Sequence, residues 1–310
     1  MSKVLVSEEN LTNIANAIRE KNESTDSYKP NEMAEAIQNI QSGDPELEAS
    51  FLSSIDDSEG ANVTKLPSGL TTIGAYAFYN CYKLALTKLP SGLTTINQYA
   101  FANCTNLALT ELPDGITKIG SYAFCDCENI ALTKLPSGLT TITNNSFQYC
   151  TNLALTELPS GLTKIENHAF HKCSNLALTE LPSNLISIGS YAFAECTNLS
   201  LTELPSGLTS IASYAFQHCT GLTEITFLGT TISMSYAYYL FASCSNLIKV
   251  VFPNITSVIT VSASTFSSTP ISNGTGYIYV PDTLVDSFKT ATNWSVYADQ
   301  IKPISELEVS

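Results

Sequence analysis

The side chains best equipped for chemistry in this chain are its nine cysteines, and eight of them keep time. Cys81, Cys104, Cys127, Cys150, Cys173, Cys196 and Cys219 recur every 23 residues, Cys244 follows after 25, and Cys125 stands outside the series. Thiols at a regular spacing suggest disulfides, a zinc site or redox exchange. An odd total with no paired spacing argues against a disulfide framework. Stacked coils lie about 4.8 Å apart, near enough for a bridge, yet side chains that all point into one core do not point at one another as S–S geometry requires. The preferred reading is a ladder of buried thiols, each packing as a small hydrophobe, with zinc and redox chemistry as the alternatives.

Other reactive groups are sparse. Of three histidines, His168 and His171 lie three residues apart near Cys173, but other copies of the repeat put Tyr76 or Tyr99, and Tyr79 or Ala102, in their places. Surface variation is therefore expected there, not metal binding. Glu157, Glu180 and Glu203 stack into an acidic run that reads as a cation or ligand patch or as a solvated face. No serine has the context of a nucleophile elbow, no glycine-rich loop follows a long strand, and the recurring Ser-Gly pairs are turn chemistry. The expectation is a non-catalytic protein with no cofactor and no metal.

The elements that position these residues follow from the same period. Leu-Pro-Ser-Gly-Leu or a close variant starts at Leu66, Leu89, Leu112, Leu135, Leu158, Leu181 and Leu204. A 23-residue unit cannot bury a core alone, so the units must stack around one shared interior, as a solenoid. Within a unit, Leu84 to Pro90 reads as a strand stopped at a corner by the proline, which has no N–H for a ladder. Leu93 to Ile96 reads as a second short extended piece, with Gly74, Gly120 or Gly189 allowing a tight bend after the isoleucine. Tyr-Ala-Phe then reads as one helical or 3-10 turn closing the coil. Phe78, Phe101, Phe124, Phe147, Phe170, Phe193, Phe216, Phe241 and Phe266 must form a stacked core ladder. The fold class is α/β, a repeat solenoid with short strands and one helical or 3-10 turn per coil.

The pattern Cys-x-x-Leu, Leu-Pro-x-x-Leu-x-x-Ile-Gly-x-x-Ala-Phe-x-x-Cys resembles the BspA-type leucine-rich repeats of bacterial surface proteins, over about residues 63 to 253. The chain lacks the Leu-x-x-Leu-x-Leu-x-x-Asn signature of the more usual leucine-rich repeat, so that horseshoe with its asparagine ladder is not implied. What the resemblance implies is a scaffold for recognition.

Two columns would line such a scaffold. One is aromatic: Tyr76, Tyr99, Tyr122, Asn145, His168, Tyr191 and Tyr214. Tyrosines in a row are a low-entropy platform for sugars or protein partners, and partial packing at the coil corner is the plainer reading. The other is charged: Lys65, Lys88, Glu111, Lys134, Glu157, Glu180 and Glu203, with attractive neighbours from Lys88 to Glu157 and like charges from Glu157 to Glu203. The candidate ligand surface is Tyr76, Tyr99, Tyr122, Tyr191, Tyr214, Glu157, Glu180 and Glu203.

A net charge of −14, from 28 acidic and 14 basic residues, argues against nucleic acid or anionic membrane as partner. No apolar run near Met1 has the length of a signal peptide or a membrane span. Residues 1–42 read as a helical hairpin, with Leu11, Ile14, Ala15 and Ile18 on one apolar face and Met33, Ile37 and Ile40 on another. Too small to be stable alone, it is expected to dock on another copy or another protein. Its string from Asn10 to Lys21, continued by Thr25-Asp26 and Met33 to Ile37, resembles a module of tail and baseplate-region proteins of phages and prophages of Gram-positive bacteria. Residues 43–60 read as an acidic linker and N-terminal cap, 61–269 as the solenoid, and 270–310 as a C-terminal strand and helical cap with Trp294 in its core. The function expected is recognition of a protein or glycan on a cell surface, from a phage tail with residues 1–42 as a possible homo-oligomer module. The alternative is a BspA-like cell-surface or extracellular adhesin.

Overall fold

The computed structural model describes residues 66, 68–234 and 237–307. The helical hairpin and the acidic linker expected at residues 1–60 lie outside these residues.

The coils stack as the period demands. Two-residue strands fall in one column: β1 (Thr72–Ile73), β2 (Thr95–Ile96), β3 (Lys118–Ile119), β4 (Thr141–Ile142), β5 (Lys164–Ile165) and β6 (Ser187–Ile188). β7 (Glu203–Leu204), β8 (Ser210–Ile211), β9 (Glu224–Phe227), β10 (Lys249–Val251), β11 (Tyr277–Val280) and β12 (Ile301–Pro303) follow. All pairing is parallel, and in the regular coils each residue faces its equivalent one repeat on, as in Thr72 with Thr95 and Ile73 with Ile96. The sheets run β1-β2-β3, β4-β5-β6-β8 and β12-β11-β10-β9-β7. Isoleucine turns in and its neighbour turns out, the alternation a strand imposes.

The strand therefore sits in the second extended piece, not in the Leu84 to Pro90 stretch where the proline suggested it. That stretch makes only scattered bonds between coils, such as Ala108 N–H to Leu86 O at 3.3 Å, and earns strand geometry only at Glu203–Leu204. In the second extended piece threonine adds to the ladder: Thr94, Thr163 and Thr209 each donate a hydroxyl to the carbonyl one coil back, at 3.0–3.2 Å.

The Tyr-Ala-Phe corner carries the i→i−3 bonds of a 3-10 turn, Tyr79 N–H to Tyr76 O and Cys81 N–H to Phe78 O. It does not propagate, because Tyr76 (φ 61°) and Asn80 (φ 63°) are left-handed. Between those bonds, Tyr76, Phe78 and Asn80 donate instead to Gln98, Ala100 and Ala102 of the next coil, at 2.7–3.1 Å. The corner is thus a turn chain laced to its neighbour. The glycine after isoleucine serves close approach, not bending: a Cβ on Gly120 would lie 2.4 Å from the Gln98 backbone nitrogen.

Leu93, Ile96, Ala100, Phe101, Cys104, Leu107 and Leu109 of one coil are all fully buried, and the regular coils repeat the set with few changes, such as Ile116 for the first leucine and Ser146 for the alanine. The phenylalanines stack from Phe78 to Phe266 at 5.1–5.9 Å between centroids, with planes within 16°. Beside them runs the thiol ladder. Cys104, Cys127, Cys150, Cys173, Cys196, Cys219 and Cys244 each donate Sγ–H to a phenylalanine carbonyl at 3.0 Å, from Phe78 for Cys104 to Phe216 for Cys244. All nine cysteines are buried, and none is in a disulfide.

At the C-terminal end the array is closed. The strand at Tyr277–Val280 is not the last, since Ile301–Pro303 pairs with it in parallel. Between them lie a 3-10 turn (Asp282–Leu284), helix α1 (Val285–Thr290) and a second 3-10 segment (Ser295–Gln300). Trp294 is buried against Phe252, Phe266 and Phe288, and its Nε1–H reaches Ile259 O at 2.7 Å.

Candidate functional site

The residues named from the sequence as a ligand surface fall in two separate places. Glu157, Glu180 and Glu203 line one hollow with Leu158, Leu181 and Pro182. In the same charged column, Lys88 and Glu111 approach to 3.7 Å, an exposed pair of little energetic weight. The tyrosines line a different face.

That face is built on strained backbone. Tyr76, Tyr99, Tyr122, Asn145, His168, Tyr191, Tyr214 and Tyr239 all have φ between 55° and 63°. Left-handed geometry costs a residue with a Cβ of order 1 kcal/mol, and asparagine and glycine least. Seven of these eight residues nonetheless carry an aromatic ring, Asn145 being the exception. Four residues on, a second left-handed row (Asn80, Asn103, Asp126, Tyr149, Lys172, Glu195, His218) is polar and varied. Neither row was legible as left-handed, because tyrosine does not announce that conformation. The recurring Asn80, Asn103 and Asn145 were the available signal.

The rings do not form an open platform. Tyr76, Tyr99 and Tyr122 stack face to face at 4.8 and 4.5 Å, and His168, Tyr191, Tyr214 and Tyr239 at 4.7, 4.4 and 5.2 Å. Within each stack the faces cover one another, so the surface offers ring edges and hydroxyls. Between the two stacks stands Asn145. A shallow open hollow lies there, lined by Ser121, Tyr122, Asn144, Asn145, Asn167, His168, Ser190 and Tyr191.

The coil of Asn145 departs from its neighbours in other ways. β3 and β4 belong to different sheets, so the strand ladder breaks at this coil. Ser146 replaces the buried alanine of the other coils, and its Oγ has no hydrogen-bond partner. Asn145 Nδ2 donates to Gln148 Oε1 (2.6 Å), and Gln148 Nε2 lies 3.1 Å from His171 Nδ1. With the amide donating, His171 Nδ1 must accept, which places the imidazole proton on Nε2, toward Glu195 Oε1 at 3.3 Å. Burial holds both His168 and His171 below the usual histidine range, so the pair is neutral at pH 7. The two rings meet edge to face at 5.4 Å, while Cys173 is spent on Phe147 O in the core. These three side chains therefore do not converge on a point, and no group of three metal-ligating residues occurs among the described residues.

The thiols are held inert by the same burial. Desolvation pushes Cys104, Cys127, Cys150, Cys173, Cys196 and Cys219 far above the ordinary thiol range, and Cys244 up to about 12.

A family model described as BspA type leucine rich repeat region, in six copies, matches residues 58–177 and 163–284. Among solved structures, a leucine-rich repeat protein from Bacteroides ovatus is 26% identical over 64% of this chain and 60% of that one, with a TM-score of 0.50. A leucine rich cell surface protein from Faecalibacterium prausnitzii is 24% identical over 65% of this chain and 64% of that one, at 0.44. The pneumococcal vaccine antigen PcpA is 17% identical over 83% and 82%, at 0.35. The chain spans less than two thirds of the first two of these structures. No curated protein is significantly similar to it.

Proposed function

The chain belongs to the BspA-type leucine-rich repeat family, and from that premise we propose that it is a non-catalytic recognition scaffold acting on a protein or glycan at a cell surface. The observation that carries this reading is the tyrosine column. A stacked row of aromatics maintained on left-handed backbone, coil after coil, is a cost that an ordinary solvated corner would avoid. Stacking offsets part of that cost. What the row adds at the surface is a rigid line of hydroxyls and ring edges beside a varied polar row, the composition of a binding face.

The phage or prophage tail is the first setting proposed, supported by the resemblance of residues 10–37 to tail-region modules, with residues 1–42 joining copies of the chain. A cell-surface adhesin is the second, supported by the family, whose repeats occur in bacterial surface proteins. In both settings the face that touches the partner is the same. The test is saturable binding of the labelled full chain to intact bacterial cells, compared with Tyr99→Ala/Tyr191→Ala. Cells that do not bind the wild-type chain would refute the reading.

A further inference from the structure

The two ring stacks point at each other across one coil, and the distance between them is fixed by the fold. The steps within the stacks are 4.4–5.2 Å. Two such steps separate Tyr122 from His168, which sets their rings about 9–10 Å apart at the spacing of stacked coils. Asn145 in that interval is itself buried and carries no ring, its amide donating to Gln148 Oε1. The inner faces of Tyr122 and His168 are the only two in the interior of the column that no stacking neighbour covers, among the described residues.

We propose that this gap is a binding slot for a single neutral pyranose ring, held between the Tyr122 and His168 faces. The inference rests on the recognition reading and names the chemical class of its ligand. A pyranose carries C–H groups on both faces and hydroxyls around its rim. Its faces suit two aromatic rings one ring-thickness away on either side. Its rim suits what surrounds the gap: the amides of Asn144, Asn145 and Asn167 and the hydroxyls of Ser121 and Ser190, all uncharged. A flat aryl group would satisfy the two faces and leave these amides and hydroxyls without new partners. A charged ligand finds no counter-ion in the lining.

The decisive variant is Asn145→Tyr, which supplies the missing ring. Tyrosine already occupies this left-handed position in six other coils, at Tyr76, Tyr99, Tyr122, Tyr191, Tyr214 and Tyr239, so the variant is expected to fold. Tyr122→Ala is the complementary variant, which removes one wall. The full chain would be titrated by NMR with cellotriose, chitotriose and phenol, and applied to an array of neutral hexose and N-acetylhexosamine glycans. The expected result is saccharide binding by the wild type that falls at least about tenfold in both variants, the loss of roughly 1.4 kcal/mol. Absence of saccharide binding by the wild type, binding unchanged in Asn145→Tyr, or a preference for phenol overturns the slot. Cell binding measured on the same samples separates the two claims. If the wild type and Asn145→Tyr bind cells equally and neither binds saccharide, the slot is refuted and the recognition scaffold stands; if the wild type binds neither cells nor glycans, both fall.

Discussion

Raising the pH should unfold this protein, and the thiol ladder says how steeply. An exposed thiol titrates near 8.5–9, whereas burial holds seven ladder thiols protonated well beyond that range. Folded pKa values are therefore raised above unfolded ones. Below pH 8 both states hold the protons and the thiols' contribution is fully present. Above pH 9 the unfolded chain releases protons that the folded chain keeps, and stability falls with rising pH. At pH 10 each such thiol contributes a loss of about 1.4 kcal/mol, and seven together lose on the order of 10 kcal/mol. That is comparable with the whole stability of an ordinary domain, roughly 5–15 kcal/mol. Urea unfolding followed by Trp294 fluorescence, under reducing conditions at pH 7.5, 9.0, 9.5 and 10.0, should show a steepening fall and a cooperative loss of structure near pH 10. Cys150→Ser and Cys173→Ser should each remove about 1.4 kcal/mol per pH unit from the slope above pH 9.5. A free energy changing by less than about 2 kcal/mol between pH 7.5 and 10 would refute the reasoning, since it would mean that the thiols titrate alike in both states.

Phe147→Ala should cost about 3–5 kcal/mol in urea unfolding, because the backbone N–H bonds from Phe124 to Ser146 O (2.9 Å) and from Phe147 to Ala169 O (3.0 Å) fix the coil spacing and forbid collapse into the hole. A loss under about 1.5 kcal/mol would mean that the ring ladder relaxes along its axis. Trp294→Phe keeps the apolar bulk of the C-terminal closure and leaves Ile259 O without its indole donor, so a loss of about 1–2 kcal/mol is expected in the same assay. No change would place the indole N–H in contact with water. Light scattering on the full chain and on a truncation starting at Gly43 should find an oligomer and a monomer respectively; monomers in both would remove the assembly role proposed for residues 1–42.

Much of the interior was legible because stacking leaves it no freedom. Phe101 and Phe124, or Cys104 and Cys127, are the same residue at the same phase of a 23-residue coil, and must fall on the same side of it. The strands were harder. Leu84 to Leu89 has the better strand composition, yet Thr95–Ile96 holds the ladder, because pairing is decided by which carbonyls the neighbouring coil presents and not by propensity. The corner was harder still. Nothing in Tyr76 or Tyr99 declares a positive φ, and without it the rings appear as a flat platform when they are in fact stacked on one another. Asn145 looked like a lapse in the aromatic column. In the structure it coincides with a break between β3 and β4, an unpaired Ser146 hydroxyl and the hollow between two ring stacks.

The central claim is that the tyrosine column is a recognition face. Its most direct test is flow cytometry of the labelled full chain on intact Gram-positive cells, wild type against Tyr99→Ala/Tyr191→Ala, with folding of both verified by urea unfolding. The account predicts saturable binding by the wild type and its loss in the doubly substituted chain. Equal binding by the two folded proteins, or none by the wild type, would contradict it.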